Sequence, residues 1–337
     1  MMIGTSTLPL TCRICHANGI HAEFAVKEMM YGTREEFRYF QCAKCGCLQI
    51  NEIPKDMSSY YPEDYYSFQV GNDAADNFSV VGRTLRKWLV RQHLFNTGYK
   101  QAKIARRIVS PPKAIASVDN LLRHCSVRSL SASFLDVGCG AQSWWLKDLH
   151  SVGFNNLVGV DPFIGTDRKY DGISIKCGSI NDINDHFDVI SMHHSLEHVP
   201  DQVATMSAAR ERLKPGGYFI VRVPLVSSDV WEKYTTNWVE LDAPRHFYLH
   251  SLESLKLTGE KAGLLLEHHF CDALPFEFWG SEQYARGITL RSENSFSVNP
   301  DQSDFTFKEM ALFKRSAAVA NEQGRGGRGV FFFRAKQ

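Results

Sequence analysis

Ser133-Phe134-Leu135-Asp136-Val137-Gly138-Cys139-Gly140 passes from a short apolar run into an acid and two glycines. The stretch ending at Val137 reads as a compact buried strand. The glycines predict a sharp turn into a helix, with backbone open to close approach by a ligand. Further strands are predicted at Asn156–Val160, Gly172–Lys176, Phe187–Met192 and Tyr218–Val223, the last entered through the turn Lys214-Pro215-Gly216-Gly217. A helix over 251–262 leads to a sixth strand around Leu264–Phe270. Val330-Phe331-Phe332-Phe333 is a last, isolated strand, preceded by a flexible glycine-arginine turn at 324–329, and 291–304 reads as a polar loop. Strands alternating with helical segments predict an α/β architecture, a mostly parallel sheet flanked by helices.

In such sheets ligands sit at the carboxyl ends of the strands, where the strand order reverses. The turn Asp136–Gly140 is therefore the expected ligand site, and Asp161, ending the next strand, can accept both hydroxyls of a ribose. A glycine turn with a downstream acid also suits a dinucleotide, and a bare glycine turn is often only structural. The dinucleotide spacing G-x-G-x-x-G fails because position 143 is Ser. Asp136 before the glycines suits a cationic ligand better than a pyrophosphate.

These pieces, taken together, resemble class I S-adenosylmethionine (SAM)-dependent methyltransferases. Leu135–Gly140 is similar to their first motif and Gly159-Val160-Asp161 to their second. Phe187–Ile190 through Leu196-Glu197-His198-Val199-Pro200-Asp201 is similar to the fourth-strand motif of the small-molecule branch, and Leu213–Gly217 to the turn before the fifth strand. The resemblance covers about 131–270. It implies a Rossmann-like seven-stranded sheet whose last strand, antiparallel, would be Val330–Phe333. It implies that Asp136, Gly138 and Gly140 surround the methionine part of SAM, that Asp161 holds the ribose, that Ser179 and Ile180 lie beside the adenine, and that His193 closes the site. Gln142 departs from the pattern, standing where many members have a third glycine.

Near the N-terminus, Cys12-Arg13-Ile14-Cys15 and Cys42-Ala43-Lys44-Cys45-Gly46 are two C-x-x-C knuckles. Each sets two thiolates on one tight turn, so the pair can complete a tetrahedron around structural Zn2+. A redox-active dithiol and an iron-sulfur cluster are the alternatives, and Cys47 and His16 are spare donors. The module, zinc-ribbon-like, resembles the zinc-binding segment preceding the methyltransferase domain in enzymes acting on sugars, including deoxysugar C-methyltransferases. By that resemblance Tyr60–Tyr66 approaches the substrate; the alternative is packing between domains.

The 337 residues divide into a zinc-binding module at 1–70, a helical connector at 71–130 and a methyltransferase domain at 131–337. In the connector Leu85, Trp88, Leu89 and Phe95 form an apolar stripe broken by Gln92, and Pro111-Pro112 ends it. Between Arg83 and Arg128 stand eleven Lys or Arg against one acid, Asp119. This run is either a solvated helix face or a patch for an acidic substrate or an anionic membrane surface. The formal net charge of +1 makes the whole surface no strong attractor of nucleic acid. No signal peptide and no apolar run of about 18 residues is evident. With nine cysteines expected to be reduced, a cytoplasmic location follows.

Methyl transfer from a sulfonium requires chiefly alignment of donor and acceptor. An acceptor hydroxyl or acidic carbon also needs a base, and histidine suits neutral pH. The candidates are His194, His198 and His246, with His193 adjacent. His246, in Asp242-Ala243-Pro244-Arg245-His246, is favoured, with Arg245 positioning an anionic group of the substrate. The expected acceptor is a small molecule, a sugar or nucleotide-linked sugar. An RNA or protein methyltransferase, or a non-catalytic protein keeping the fold, are the competing readings. No feature of the chain speaks to oligomeric state.

Overall fold

A computed structural model describes residues 2–6, 8–62, 88–90, 92, 94–95 and 114–336. Six short strands come first: β1 (Met2–Thr5), β2 (Leu10–Thr11), β3 (Asn18–Gly19), β4 (Ala22–Lys27), β5 (Glu36–Gln41) and β6 (Leu48–Ile50). The main sheet follows, with β7 (Ser133–Val137), β8 (Asn156–Asp161), β9 (Arg168–Tyr170), β10 (Ile173–Cys177), β11 (Phe187–His193) and β12 (Leu213–Pro224). After β13 (Tyr248–Leu249), the strands β14 (Leu264–Cys271) and β15 (Arg328–Ala335) complete it.

The main sheet has eight strands in the order β14-β15-β12-β11-β7-β8-β10-β9. β12, β11, β7, β8 and β10 are mutually parallel, and β15 lies antiparallel to both β12 and β14. The expected strands are all present and the antiparallel role of β15 is as expected, but the count is eight rather than seven. The addition is β9, which folds back on β10 through Asp171-Gly172, both at positive φ. Three residues are too few to show a strand period. The expected turn at 214–217 is instead an excursion within β12. Pairing with β11 jumps from Phe187↔Leu213 to Val189↔Tyr218, so the glycine-bearing stretch bulges from the ladder.

Strand order reverses at β7, between β8 and β11, so the glycine turn stands at the switch point. Apolar side chains fill both faces; Phe331, Phe332 and Phe333 of β15 are all fully buried, as expected of a strand covered on both sides. Two helices that the sequence reading lacked, Pro275–Ala285 and Phe307–Glu322, are inserted between β14 and β15. Their Phe278, Phe313, Ala317 and Ala320 share a core with Phe24, Tyr39 and Trp231, joining the N-terminal module to the main domain.

The N-terminal strands pair with a strand from farther along the chain. Their sheet runs β1-β4-β5-β6-β13, and the last strand belongs to the main domain. Of the connector, Trp88, Leu89, Val90, Gln92, Leu94 and Phe95 are helical, with Leu89 and Val90 buried, and a helix spans Ile115–Leu122. Leu85, Pro111, Pro112, Tyr65, Tyr66 and most of the basic run lie outside the described residues. Among the described residues, no helix is long and apolar enough to cross a membrane.

Candidate active site

A cleft of about 310 Å³ opens beyond the carboxyl ends of β7, β8, β10 and β11, lined by Gly138, Asp161, Phe163, Ser179, Ile180 and Tyr61 among others. Gly138 holds φ +70°, and a Cβ there would stand 2.5 Å from Cβ of Ser195, so only glycine passes this point unstrained. Asp161 is buried, its Oδ2 accepting from Gly140 N at 2.9 Å and its Oδ1 from Phe163 N at 2.8 Å. Each oxygen keeps a second lone pair for a ligand hydroxyl. Burial raises the Asp161 pKa, against the pull of those two N–H groups.

Three residues expected around the cofactor stand behind this lining. Asp136 is buried and accepts hydroxyl hydrogen bonds from Ser143 at 2.6 Å and Ser191 at 2.8 Å, with burial lifting its pKa to about 6. Ser143 also caps the helix Trp144–Val152, accepting from Leu146 N, so Asp136 ties that helix and β11 to β7. Gly140 serves through its N–H to Asp161. His193 is packed against Trp144 and Trp145, with Arg222 donating to its Nδ1 at 3.3 Å, and burial pushes its pKa well down. It lines neither this cleft nor the one beside it.

The adjoining cavity, about 370 Å³, is lined by Met30 of the N-terminal module and by Glu240, Asp242, His246, Tyr284, Arg291 and Arg328. It shares His194 and His198 with the first cleft. The three histidines expected as bases thus stand together, around Glu197. His194, at φ +53°, is partly exposed, and its Nδ1 is 3.4 Å from Glu197 Oε1. His246 Nε2 is 4.0 Å from the same oxygen, and the His198 and His246 rings meet edge to face at 4.7 Å. Glu197 has no accessible surface. Burial alone would raise its pKa, but the imidazoles of His194, His246 and His198 outweigh it and hold the carboxyl at about 2. Burial takes His198 the other way, down to about 4.

Arg245, expected to meet an anionic group of the substrate, lines neither cleft. It is fully buried, donating to Glu28 at 2.8 Å and to Asp242 at 2.5 Å. Glu28 also accepts from the N–H groups of Met30, Tyr31, Gly32 and Thr33, which anchors the hairpin between β4 and β5. The arginines that line the second cavity are Arg291 and Arg328, and Arg328 is paired with Asp272 at 2.8 Å. Further bonds run from the module to the histidine segment. Tyr39 Oη donates to His246 O at 2.8 Å, Ile50 N donates to Phe247 O at 3.1 Å, and β6 pairs with β13.

Cys12, Cys15, Cys42 and Cys45 bring all four sulfurs within 4.8 Å of one another. The Cys12–Cys45 and Cys15–Cys42 pairs are 3.6 and 3.5 Å apart, and Gln49 Nε2 points at Cys12 Sγ at 3.1 Å. Four thiols at this spacing fit the donor set of tetrahedral structural zinc, with an amide in the outer shell. Cys47, a spare donor by sequence, is buried with its thiol directed at Leu48 O. Tyr61 lines the first cleft and stacks on Phe163 at 6.3 Å, whereas Tyr60 donates to Glu35. Glu28, Phe163, Glu240 and Arg291 were not singled out from the chain, because no local pattern sets them apart. Glu197 sat beside a recognised histidine but was as readily an ordinary turn carboxylate.

A methyltransferase-domain family model matches residues 108–269. An uncharacterized methyltransferase of Schizosaccharomyces pombe is 24% identical over 222 residues, covering 59% of this chain and 80% of its own length. Among solved structures, a chain of the Haloferax volcanii complex between the Trm112 methyltransferase activator and a methyltransferase superposes with a TM-score of 0.42 at 17% identity, over 65% of this chain and 88% of its own. A cyclopropane synthase of Mycobacterium tuberculosis gives 0.39 at 16% identity, over 65% and 82%. With the family match spanning the glycine turn, Asp161 and the histidine-bearing end of β11, the protein is a SAM-dependent methyltransferase.

Proposed function

We propose that the protein methylates a small hydroxyl-rich acceptor, a sugar or nucleotide-linked sugar, held in the second cavity. The observation that carries this reading is the meeting of two clefts at His194 and His198, one floored by Asp161 and the other walled by polar side chains. SAM supplies an electrophilic methyl group on a sulfonium. Asp161 receives its ribose hydroxyls, Gly138 lets it approach the backbone, and Ser179 and Ile180 flank its adenine. Glu240 and Asp242 accept from acceptor hydroxyls, and Arg291 meets an anionic group such as a phosphate. His194, which faces both clefts with Nδ1 toward the buried Glu197, takes the proton from the acceptor. A carboxylate behind an imidazole fixes the tautomer whose far nitrogen is free to act as base. The four-cysteine set holds structural zinc. Nine free cysteines suit a reducing compartment, and we assign the protein to the cytoplasm.

Calorimetric titration with SAM and its demethylated product, with NAD as control, tests the cofactor half. Saturable SAM binding that Asp161→Ala abolishes is expected, and a folded, zinc-loaded sample that ignores SAM would sink the reading. The acceptor half is tested by methyl transfer from labelled SAM to a nucleotide-sugar panel. Turnover confined to RNA or protein acceptors would replace the sugar by a macromolecule.

A further inference from the structure

Beyond the four thiols, the described residues bring one more set of metal-donor atoms together. A carboxylate oxygen of Glu197 and one ring nitrogen each of His198 and His246 lie within 4.8 Å of one another. The set stands in the wall between the two clefts, both histidines lining the second.

Two independent features prepare these atoms for a cation. The first is the tautomer of the rings. His198 Nδ1 is 2.9 Å from Arg245 O, and His246 Nδ1 is 2.7 Å from Glu240 O. A carbonyl oxygen only accepts, so each Nδ1 carries the hydrogen and each Nε2 presents a lone pair. Imidazoles that bind metals are held in this way, the second nitrogen donating to a backbone carbonyl or carboxylate. The second feature is Glu197 itself. It is fully buried, and among the described residues the one donor set against it is His194 Nδ1, at a long 3.4 Å from Oε1, while Oε2 has no hydrogen-bond partner. A carboxylate in that position is costly unless a positive charge meets it.

We propose that Glu197, His198 and His246 form a second metal site, for a divalent transition ion such as Zn2+, Co2+ or Mn2+. Two imidazoles and one carboxylate are the donor set of such ions, with positions left open for ligands. Bond lengths near 2.0–2.2 Å place donors about 3–3.5 Å apart, so the three side chains close by about an ångström on loading. The open positions face the second cavity, where the ion takes up a hydroxyl oxygen of the acceptor and makes that hydroxyl more acidic. This use rests on the proposed acceptor cavity, whereas the binding of the ion does not.

Cobalt titration of the full-length protein, with zinc already filling the cysteine set, tests the site. The expected result is one Co2+ per chain, with the weak visible bands of nitrogen and oxygen ligands and no intense thiolate-to-cobalt band. Glu197→Gln, which keeps the shape of the side chain, is expected to weaken that binding at least tenfold while circular dichroism and SAM titration stay as in the parent. Should Glu197→Gln fail to fold, His246→Asn reads the same loss. Absence of Co2+ uptake by the folded parent overturns the proposal, and means that a protonated imidazole neutralises Glu197. Uptake unchanged in the variants overturns it equally. SAM binding is read in the same samples, so loss of the methyltransfer reading and loss of the metal site are separate results.

Discussion

Three acids in this chain show how differently a buried carboxylate can be used. Asp136 accepts from Ser143 and Ser191 and braces the turn, while Asp161 accepts from two backbone N–H groups and still faces the cleft. Replacing Asp161 with Asn removes one anionic acceptor from a ligand diol. Hydrogen bonds to charged groups contribute about 1.5–3 kcal/mol each, so SAM affinity is expected to fall by roughly two orders of magnitude in a calorimetric titration. Asp136→Ala is expected to act on stability instead. Glu277 is the third case. Burial, with Glu240 nearby, raises its pKa to about 8. Its folded pKa lies above the unfolded value of 4.5, so the native state holds the proton more tightly. The stability this confers is complete below the unfolded pKa and is lost as pH rises through about 8. Glu277→Gln removes the ionisation, so its melting temperature should gain on the parent by a few degrees between pH 5 and pH 8. Parallel curves for the two proteins over that range would show that Glu277 is not protonated in the fold.

The elements that could be read along the chain are those whose signal is local. β7, β8, β10 and β11 are apolar runs, the first three bounded by glycine or acid and the last by a histidine pair, and their expected bounds agree with the structure to within a residue or so. β13 has two residues and exists only because β6 pairs with it, so nothing in Tyr248-Leu249 announces it. The helix Phe307–Glu322 does carry a start signal, Thr306 with Glu309. Its buried face includes Ala317 and Ala320, which weakens the apolar period beyond it. The segment from Asp242 to Leu249 is placed by partners distant in sequence: Glu28 on Arg245, Tyr39 on His246 and β6 on β13. Arg245→Leu therefore strands Glu28 and Asp242 without their cation, at a cost of about 3 kcal/mol or more in denaturant unfolding. Arg245→Leu combined with Glu28→Gln should recover part of that loss. Additive effects would mean that the pair is not coupled.

Across the whole molecule the site divides by origin. Apart from Tyr61, the residues lining the first cleft lie between Val137 and Thr205, a contiguous strand-and-loop region readable in order from the chain. The second cavity is assembled from Met30, from His194 and His198, from the segment 239–246, and from Phe276, Tyr284, Leu290, Arg291, Ser297 and Arg328. No stretch of sequence contains it, and for that reason its histidines were legible while their surroundings were not. The same division predicts how the cysteine set acts. Its knuckles flank the sheet that ends in β13, so loosening it disturbs the second cavity through the segment carrying His246, and leaves β7, β8 and β11 in place. Cys42→Ser breaks the thiol set without stripping any ion held elsewhere. Hydrogen exchange should quicken in 242–250 while the amides of β7 and β11 keep their protection. SAM affinity should stay within about threefold of the parent, because nearly all of its lining lies outside the module. Turnover of the acceptor, measured as kcat/KM, should fall by more than about tenfold. An equal loss of SAM affinity and turnover would mean that the module supports the fold as a whole rather than the acceptor cavity.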